Sequence, residues 1–138
     1  MEFKTDDPNV IFGGEYSNGN ARTFISEDNG QSWSFINNGL PTGNSQRVQI
    51  AVTPSNPNVI YALYANNEGG YRGLYKSENG GNTWNLQSNS PNLLGWSSSG
   101  SDEGGQGWYD LSLVASPNNE DLIFVGGVNT WKSTDGGS

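Results

Sequence analysis

SENGGNTW at residues 77–84 is the most informative segment of the chain, because the same frame begins three times. SEDNGQSW at 26–33 has the same serine, polar residue, glycine and final tryptophan, and STDGGS at 133–138 begins the frame again. The serines lie at positions 26, 77 and 133, so the interval is slightly longer than about 50 residues. An interval of this length is typical of proteins built from repeated supersecondary units.

A second element follows the same interval. DDPNVIFGG at 6–14, SNPNVIYAL at 55–63 and SPNNEDLIFVGG at 116–127 each place a turn rich in proline and asparagine before a short apolar run. An aromatic residue also stands two positions before each frame serine: Phe24, Tyr75 and Trp131. The chain therefore repeats a whole structural unit and not one isolated turn.

The middle unit predicts four strands, at 47–53, 59–65, 74–77 and 83–87. In the first of these strands Val48, Ile50 and Val52 occupy alternate positions, as buried residues of a strand do. Four antiparallel strands per repeat are typical of a propeller blade. We predict an all-β chain with a first, partial blade at 1–38, a complete blade at 46–88 and a partial third blade at 108–138.

The number of blades predicts an incomplete ring. Closed propellers have about 4–8 blades, whereas these repeats supply roughly two and a half. An open arc leaves sheet edges and blade faces without partners. We therefore expect a single partial propeller that belongs to a longer protein, with the remaining blades as its partners.

The repeated frame is predicted to form the turn between the third and fourth strands of each blade. Asp28 can accept hydrogen bonds from turn amides, and Gly30 can adopt a positive φ at little cost. Trp33 and Trp84 are expected to begin the fourth strands and to bury large apolar areas. Asn79 occupies the position of Asp28 in the second copy. The negative charge is thus dispensable, which favours a structural role over a catalytic or metal-binding one.

This frame resembles the BNR, or Asp-box, repeat family, whose motif is Ser-x-Asp-x-Gly-x-Thr/Ser-Trp. The family includes sialidases, xyloglucanase-type hydrolases, sortilin-type receptors and many secreted bacterial propellers. The resemblance implies a partial propeller from a secreted or cell-surface protein, with the boxes lying away from the active face. The second copy has Asn79 in place of the motif's aspartate, and the matching residues are Ser26, Asp28, Gly30, Ser32, Trp33, Ser77, Gly81, Thr83, Trp84, Ser133, Asp135 and Gly137.

Composition excludes several classes of function. The 138 residues carry a net charge of −8 with only 6 lysines and arginines, so nucleic acid is not an expected partner. No apolar run approaches the ~20 residues of a membrane span, so insertion into a membrane is not expected. Cysteine and histidine are absent, which excludes disulfides, thiolate chemistry and the common zinc and Ser-His sites. We expect no metal and no cofactor.

The loops opposite the boxes vary in length between repeats, and variable loops on a regular scaffold commonly carry function. The longest of these loops is NSPNLLGWSSSGSDEGGQGWYD at 89–110. Its aromatic rings suit the apolar face of a sugar, and a pair of its carboxylates could hydrolyse a glycosidic bond. The candidate glycan-binding residues are Trp96, Asp102, Glu103, Trp108, Tyr109 and Asp110.

The alternative interpretation of this loop is structural. Trp108 and Tyr109 would then begin the first strand of the third blade and pack between blades, with Asp102 and Glu103 solvated. Adjacent residues of a strand face opposite sides, so only one of the two aromatic residues can be exposed. We expect Trp108 to be the exposed one and Tyr109 to pack between blades. Residues 92–107 should lie opposite the boxes, near the propeller axis.

Two further patterns relate to enzymes of the resembled family. NEGGYRG at 67–73 resembles the Asp-x-Gly-Gly-x-Tyr-Arg stretch that carries a catalytic aspartate in xyloglucanase-type enzymes. It is one residue shorter and has Asn67 or Glu68 at the aspartate position, so the catalytic residues are unassigned. A sialidase site needs three arginines that converge on a carboxylate, and the chain contains only Arg22, Arg47 and Arg72.

Two functions therefore remain open. The first is a segment of a glycan-related propeller, either glycoside hydrolase-like or carbohydrate-binding, that is inactive alone because an active site would need further blades. The second is a protein-binding or adhesive propeller of the sortilin or bacterial-surface type. No sequence feature decides between them.

Overall fold

The computed structural model describes residues 1–138 and contains eleven β-strands and no helix. The predicted all-β fold class, a partial propeller, is confirmed. The strands are β1 (Glu2–Lys4), β2 (Asp7–Gly14), β3 (Thr23–Ser26), β4 (Ser34–Ile36), β5 (Arg47–Val52), β6 (Ile60–Ala65), β7 (Tyr71–Ser77), β8 (Asn85–Ser88), β9 (Ser112–Ala115), β10 (Ile123–Gly126) and β11 (Thr130–Ser133). No helix in the structure could cross a membrane.

The strands form three antiparallel sheets, and within each sheet every strand pairs with the next one along the chain. We call them blade 1 (β1–β4), blade 2 (β5–β8) and blade 3 (β9–β11). Blade 1 has four strands because Glu2 and Phe3 pair with Phe12 and Ile11. The structure therefore contains eleven strands. Consecutive meandering sheets of this kind are the units of a propeller.

The first strands of the three blades lie next to one another. Strand β5 of blade 2 contacts β1 and β2 on one side and β9 on the other. Innermost strands surround the axis of a propeller, so this arrangement places β1, β5 and β9 on the axis side. The connection that leads into β9 consequently ends near the axis.

Blade 2 is packed on both faces. One apolar cluster joins it to blade 1 and includes Phe12 and Ile60, and a second joins it to blade 3 and includes Leu63 and Ile123. All six residues of β6 are buried, as expected for a strand covered on both sides. Blade 2 is thus the best-packed part of the molecule.

The two box tryptophans differ in burial, which corrects the expectation that both are buried. Trp84 is 3% exposed, whereas Trp33 is 40% exposed. Trp84 belongs to the cluster that also contains Phe12 and Leu40 from the blade 1 side. Trp33 belongs to blade 1, before which this chain has no other sheet, and its ring lies against Gly13 of its own blade. Both fourth strands begin one residue after the tryptophan, at Ser34 and Asn85.

Candidate functional site

The three copies of the repeated frame occupy one end of the blades; we call each copy a box, and the turns at 26–33, 77–84 and 133–138 the box end. In the first box, Ser26 Oγ accepts a hydrogen bond from the Gly30 amide (2.8 Å) and donates one to Asp28 Oδ1 (2.8 Å). Asp28 also accepts from the amide of Ser32 (2.8 Å) and from its hydroxyl (2.6 Å). These hydrogen bonds, chiefly those from Ser32, lower the pKa of Asp28 to about 2.

The second box replaces the carboxylate with an amide and keeps nearly the same hydrogen bonds. Asn79 Oδ1 accepts from Ser77 Oγ (3.1 Å) and from the Thr83 amide (2.9 Å). Only the side-chain hydrogen bond reverses its direction, because Asn79 Nδ2 donates to Thr83 Oγ1 (2.8 Å), whereas Ser32 donates to the aspartate in the first box. The side chains of Ser26, Asp28, Ser77 and Asn79 therefore form their hydrogen bonds within the turns themselves.

The third box forms the same serine contacts. Ser133 Oγ donates to Asp135 Oδ1 (2.6 Å) and accepts from the Gly137 amide (2.8 Å). The hydrogen bond from Ser133 is the main reason why the pKa of Asp135 lies below its ordinary value. Its turn is thus formed although β11 has no fourth strand beside it.

The opposite end carries the long loop, and we call the loops at 66–70, 89–111 and 127–129 the loop end. Asn92 is the centre of the long loop. Its Oδ1 accepts from the amides of Tyr71 (2.8 Å) and Leu94 (3.3 Å), and its Nδ2 donates to the carbonyls of Asp102 (3.0 Å) and Gly104 (2.7 Å). One side chain thus ties both halves of the loop to β7. Sequence reasoning did not identify Asn92, because its partners are distant in the chain.

Two glycine-rich segments, residues 68–70 and 104–107, lie directly beside each other at this end, and we call this contact the glycine crossing. The Gly105 amide donates to the Glu68 carbonyl (3.2 Å), and the Gly107 amide donates to the Gly69 carbonyl (2.8 Å). A Cβ atom on Gly69 would collide with the Gly105 carbonyl oxygen. The long loop therefore lies against the loop between β6 and β7, at the end opposite the boxes as expected, and only glycine permits this approach.

Three aromatic rings of the long loop are exposed: Trp96 by 54%, Trp108 by 49% and Tyr109 by 71%. The rings of Trp108 and Tyr109 are 5.6 Å apart at an angle of 51°. A Cβ on Gly69 would lie 3.0 Å from Trp108 Cδ1, and one on Gly104 would lie 3.8 Å from the Trp96 ring. The two indoles thus flank the glycine crossing.

The exposure of Trp108 agrees with the sequence prediction, but the prediction that Tyr109 packs between blades is wrong. The amides of Tyr109 and Asp110 both donate to the Gln106 carbonyl (2.7 and 3.0 Å), so these residues form a turn and do not alternate as in a strand. Strand β9 begins only at Ser112, and Leu111 is the residue that is buried between blades. The structural alternative, with both aromatic rings packed, is also wrong.

The backbone of each ring-bearing segment is fixed by a polar side chain. Asp102 Oδ2 accepts from the amides of Trp96 (2.7 Å) and Ser97 (3.1 Å). Asn129 Nδ2 donates to the Trp96 carbonyl (3.3 Å). Arg47 Nη1 donates to the carbonyls of Trp108 (3.3 Å) and Tyr109 (2.8 Å). The support that Asn129 and Arg47 give to the loop was not predicted from the sequence, because both residues are distant from it in the chain and outside any motif.

The candidate carboxylates have different environments. Asp102 is half-buried; although burial opposes its ionisation, the amides of Ser97 and Trp96 hold its pKa below the ordinary value. Asp110 is also half-buried, and its Oδ1 has no hydrogen-bond partner. Glu103 and Glu68 are exposed. Among these acids, Asp102 supports the loop itself, and the two glutamates are accessible to a ligand.

The three arginines have separate partners. Arg22 pairs with Glu15 (3.0 Å) within blade 1 and lies over the ring of Phe24. Arg47 binds carbonyls of the long loop, whereas the Nε atom of Arg72 is buried without a hydrogen-bond partner. The structure therefore does not bring them together as a carboxylate-binding triad.

Comparison with known proteins shows a likeness at the level of the fold. No family model matches the chain, and no curated protein matches it. Among solved structures, the crystal structure of an ancestral GH74 enzyme matches with a TM-score of 0.64 and 22% identity. The match covers 98% of this chain but only 17% of the enzyme. GH74 enzymes are β-propeller glycoside hydrolases, so the neighbour has the propeller architecture described above.

Proposed function

We propose that the loop end binds carbohydrate through Trp96, Trp108 and Tyr109. The observation that carries this proposal is the exposure of three aromatic rings beside the glycine crossing. We call these three rings and the backbone that carries them the aromatic platform. A pyranose ring has an apolar face of C–H groups and a rim of hydroxyls. Exposed indole and phenol rings offer a matching apolar surface, and Glu68 and Glu103 are accessible acceptors for the hydroxyls.

The backbone of the aromatic platform is fixed by hydrogen bonds before any ligand binds. Asp102 and Asn129 fix the backbone of Trp96, and Arg47 fixes the carbonyls of Trp108 and Tyr109. Fixed anchor groups lose little conformational freedom on binding, so more of the contact energy appears as affinity. A preorganised platform therefore suits a ligand such as a sugar, whose individual contacts are weak.

We assign binding rather than hydrolysis to this chain. Glycoside hydrolysis uses two carboxyl groups that face the same bond across about 5–10 Å. None of the three cavities is lined by Trp96, Trp108 or Tyr109, so the exposed rings form an open surface and not a cleft that would hold two acids on either side of a bond. In a larger protein, further blades could supply a second acid beside the loop end, as expected for a parent of the hydrolase type. That parent would be secreted or on the cell surface, and the additional blades would be partners of this segment.

Binding assays with soluble oligosaccharides test the proposal. Titration calorimetry should detect saturable binding of at least one member of a panel of β-linked glucan and xyloglucan oligosaccharides. Trp96→Ala and Trp108→Ala should each weaken that binding at least about tenfold, because large aromatic anchors dominate such contacts. Trp33→Ala is the matched control, since Trp33 is also exposed but lies at the box end.

Equal affinities for the wild type and both loop variants, with the fold intact by circular dichroism, would contradict the proposal. Binding of no glycan by the wild-type chain would also contradict it. That second result would favour a protein-binding propeller of the sortilin type.

A further inference from the structure

Two exposed carboxylates lie beside the aromatic platform. Glu68 directly precedes Gly69 in one segment of the glycine crossing, and Glu103 directly precedes Gly104 in the other. Neither glutamate forms an ion pair, since the acids that do so are Asp6, Glu15, Glu78 and Asp121. Both carboxylates are therefore free to meet a charged group of a ligand.

The backbone places these two glutamates beside the two indoles. A Cβ on Gly69 would lie 3.0 Å from Trp108 Cδ1, and one on Gly104 would lie 3.8 Å from the Trp96 ring. The same Cβ on Gly104 would lie 3.3 Å from the Glu68 carbonyl oxygen, so the two segments are in contact. A ligand that covers both indoles would consequently lie beside both glutamates.

The cations at the loop end do not compensate for this negative charge. The segments 66–72 and 89–111 contain four carboxylates, at positions 68, 102, 103 and 110, and one arginine, Arg72, which is half-buried. Arg47 reaches the loop from β5, and its Nη1 donates to the carbonyls of Trp108 and Tyr109. The surface around the exposed rings is therefore acidic, as is the whole chain with its net charge of −8.

We propose that the aromatic platform selects glycans that carry free amino groups, such as β-linked oligosaccharides of glucosamine. This inference rests on the carbohydrate-binding function proposed above and names the class of sugar that it prefers. The C–H face of each pyranose would stack on an indole, while protonated amines on its rim would meet Glu68 and Glu103. A cation close to an indole face is attracted to the ring as well. Glycans that carry carboxylates would be repelled.

The preference should be moderate and sensitive to salt. Exposed ion pairs are individually weak, so two of them should favour an amino sugar over its neutral analogue by about three- to tenfold at low ionic strength. At about 1 M salt, where charges are screened beyond about 3 Å, the two affinities should approach each other. Stacking on the rings depends less on salt and should persist.

Three β-1,4-linked tetrasaccharides that share one sugar backbone test the proposal. They are cellotetraose, which is neutral, the tetramer of glucosamine, which is cationic, and the tetramer of glucuronic acid, which is anionic. Titration calorimetry of the 138-residue chain at about pH 6 keeps the amines and the exposed carboxylates charged. We expect the glucosamine tetramer to bind most tightly and the glucuronic acid tetramer at least about threefold more weakly than cellotetraose.

Variants of the chain assign the preference to the two glutamates. The measured quantity is the ratio of the affinities for the glucosamine tetramer and for cellotetraose. Glu68→Gln and Glu103→Gln should each lower this ratio about two- to threefold, and the double variant should bring it close to one. Glu27→Gln is the matched control, because Glu27 is also exposed but lies in the first box; its ratio should equal that of the wild type.

Equal affinities for the glucosamine tetramer and cellotetraose at low salt would overturn this inference and leave the carbohydrate-binding function standing. A ratio that falls as much in Glu27→Gln as in Glu68→Gln would also overturn it, because the overall charge of the chain would then be the cause. Binding of neutral glycans without binding of the glucosamine tetramer would have the same consequence. Binding of no glycan of any kind would overturn both proposals.

Discussion

The box end and the loop end of the blades are both rich in glycine and polar residues, yet they use them differently. At the box end, Ser26 and Asp28 direct their hydrogen bonds into their own turn. At the loop end, Asn92 and Arg47 bind segments that are distant in sequence and leave aromatic rings exposed. The side chains of the repeated turns thus support those turns, and the unrepeated loop is the region for which we propose a role in recognition.

The largest expected effect concerns the two box tryptophans. Trp84→Ala should lower the free energy of unfolding by roughly 3–5 kcal/mol, because it empties a buried site between two blades. Trp33→Ala should cost less than about half as much, since its ring is 40% exposed. Urea denaturation of both variants measures the difference. Equal losses would mean that burial between blades does not govern the contribution of the box tryptophan.

The next effect concerns the glycine crossing at the loop end. Gly69 has a φ of 77°, and a Cβ there would collide with the Gly105 carbonyl. We expect Gly69→Ala to lower the free energy of unfolding by about 2–3 kcal/mol and to displace the long loop. Gly43→Ala is the matched control: Gly43 also has a φ of 77° but has no atom within 4 Å of a new Cβ. Thermal melts that give the same loss for both variants would contradict the packing role of Gly69.

A smaller effect is expected at the centre of the long loop. Asn92→Asp keeps an acceptor for the Tyr71 amide but replaces the donor to the Asp102 and Gly104 carbonyls with an oxygen. The loss of stability should be about 2 kcal/mol, as for buried groups that lose a hydrogen-bond partner. Hydrogen exchange should become faster at Gly105 and Gly107, whose amides hold the crossing. Unchanged exchange at both amides would show that Asn92 does not organise the loop.

The smallest effect should be the removal of charge at the first box. Because the folded state lowers the pKa of Asp28 from its ordinary value of 3.8 to about 2, Asp28 contributes stability that is present above pH 4. This contribution is lost as the pH falls from about 4 to 2. Asp28→Asn should be mild at pH 7, since Asn79 makes equivalent bonds, and should remove part of the acid dependence. Denaturation at several pH values would contradict this if the variant and the wild type lost stability in parallel.

The sequence predicted the blades well because their signals are local and repeated. Strands β5 and β6 lie within one residue of the strands predicted at 47–53 and 59–65, since the turn between them is marked by proline and asparagine. The burial of Trp33 was overestimated because burial depends on the neighbouring sheet, which the motif itself does not encode. A repeat thus predicts strands better than it predicts what packs against them.

The long loop could be predicted only in part. Its position opposite the boxes followed from the order of the strands, and its exposed Trp108 followed from its glycine-rich surroundings. The exposure of Tyr109 did not, because it depends on a turn closed by the Gln106 carbonyl. The supports provided by Arg47 and Asn129 join separate blades, and no local pattern marks such contacts.

The indole signals of the five tryptophans can locate carbohydrate binding at the loop end or at the box end, because they report on both ends of the blades in one spectrum. The ¹⁵N-labelled chain is titrated with xyloglucan oligosaccharides, and the indole N–H resonances are assigned by single substitutions. We predict that the signals of Trp96 and Trp108 shift with one common saturation curve, while those of Trp33 and Trp84 remain in place. Shifts of Trp33 without shifts of Trp96 and Trp108 would place recognition at the box end and contradict the account.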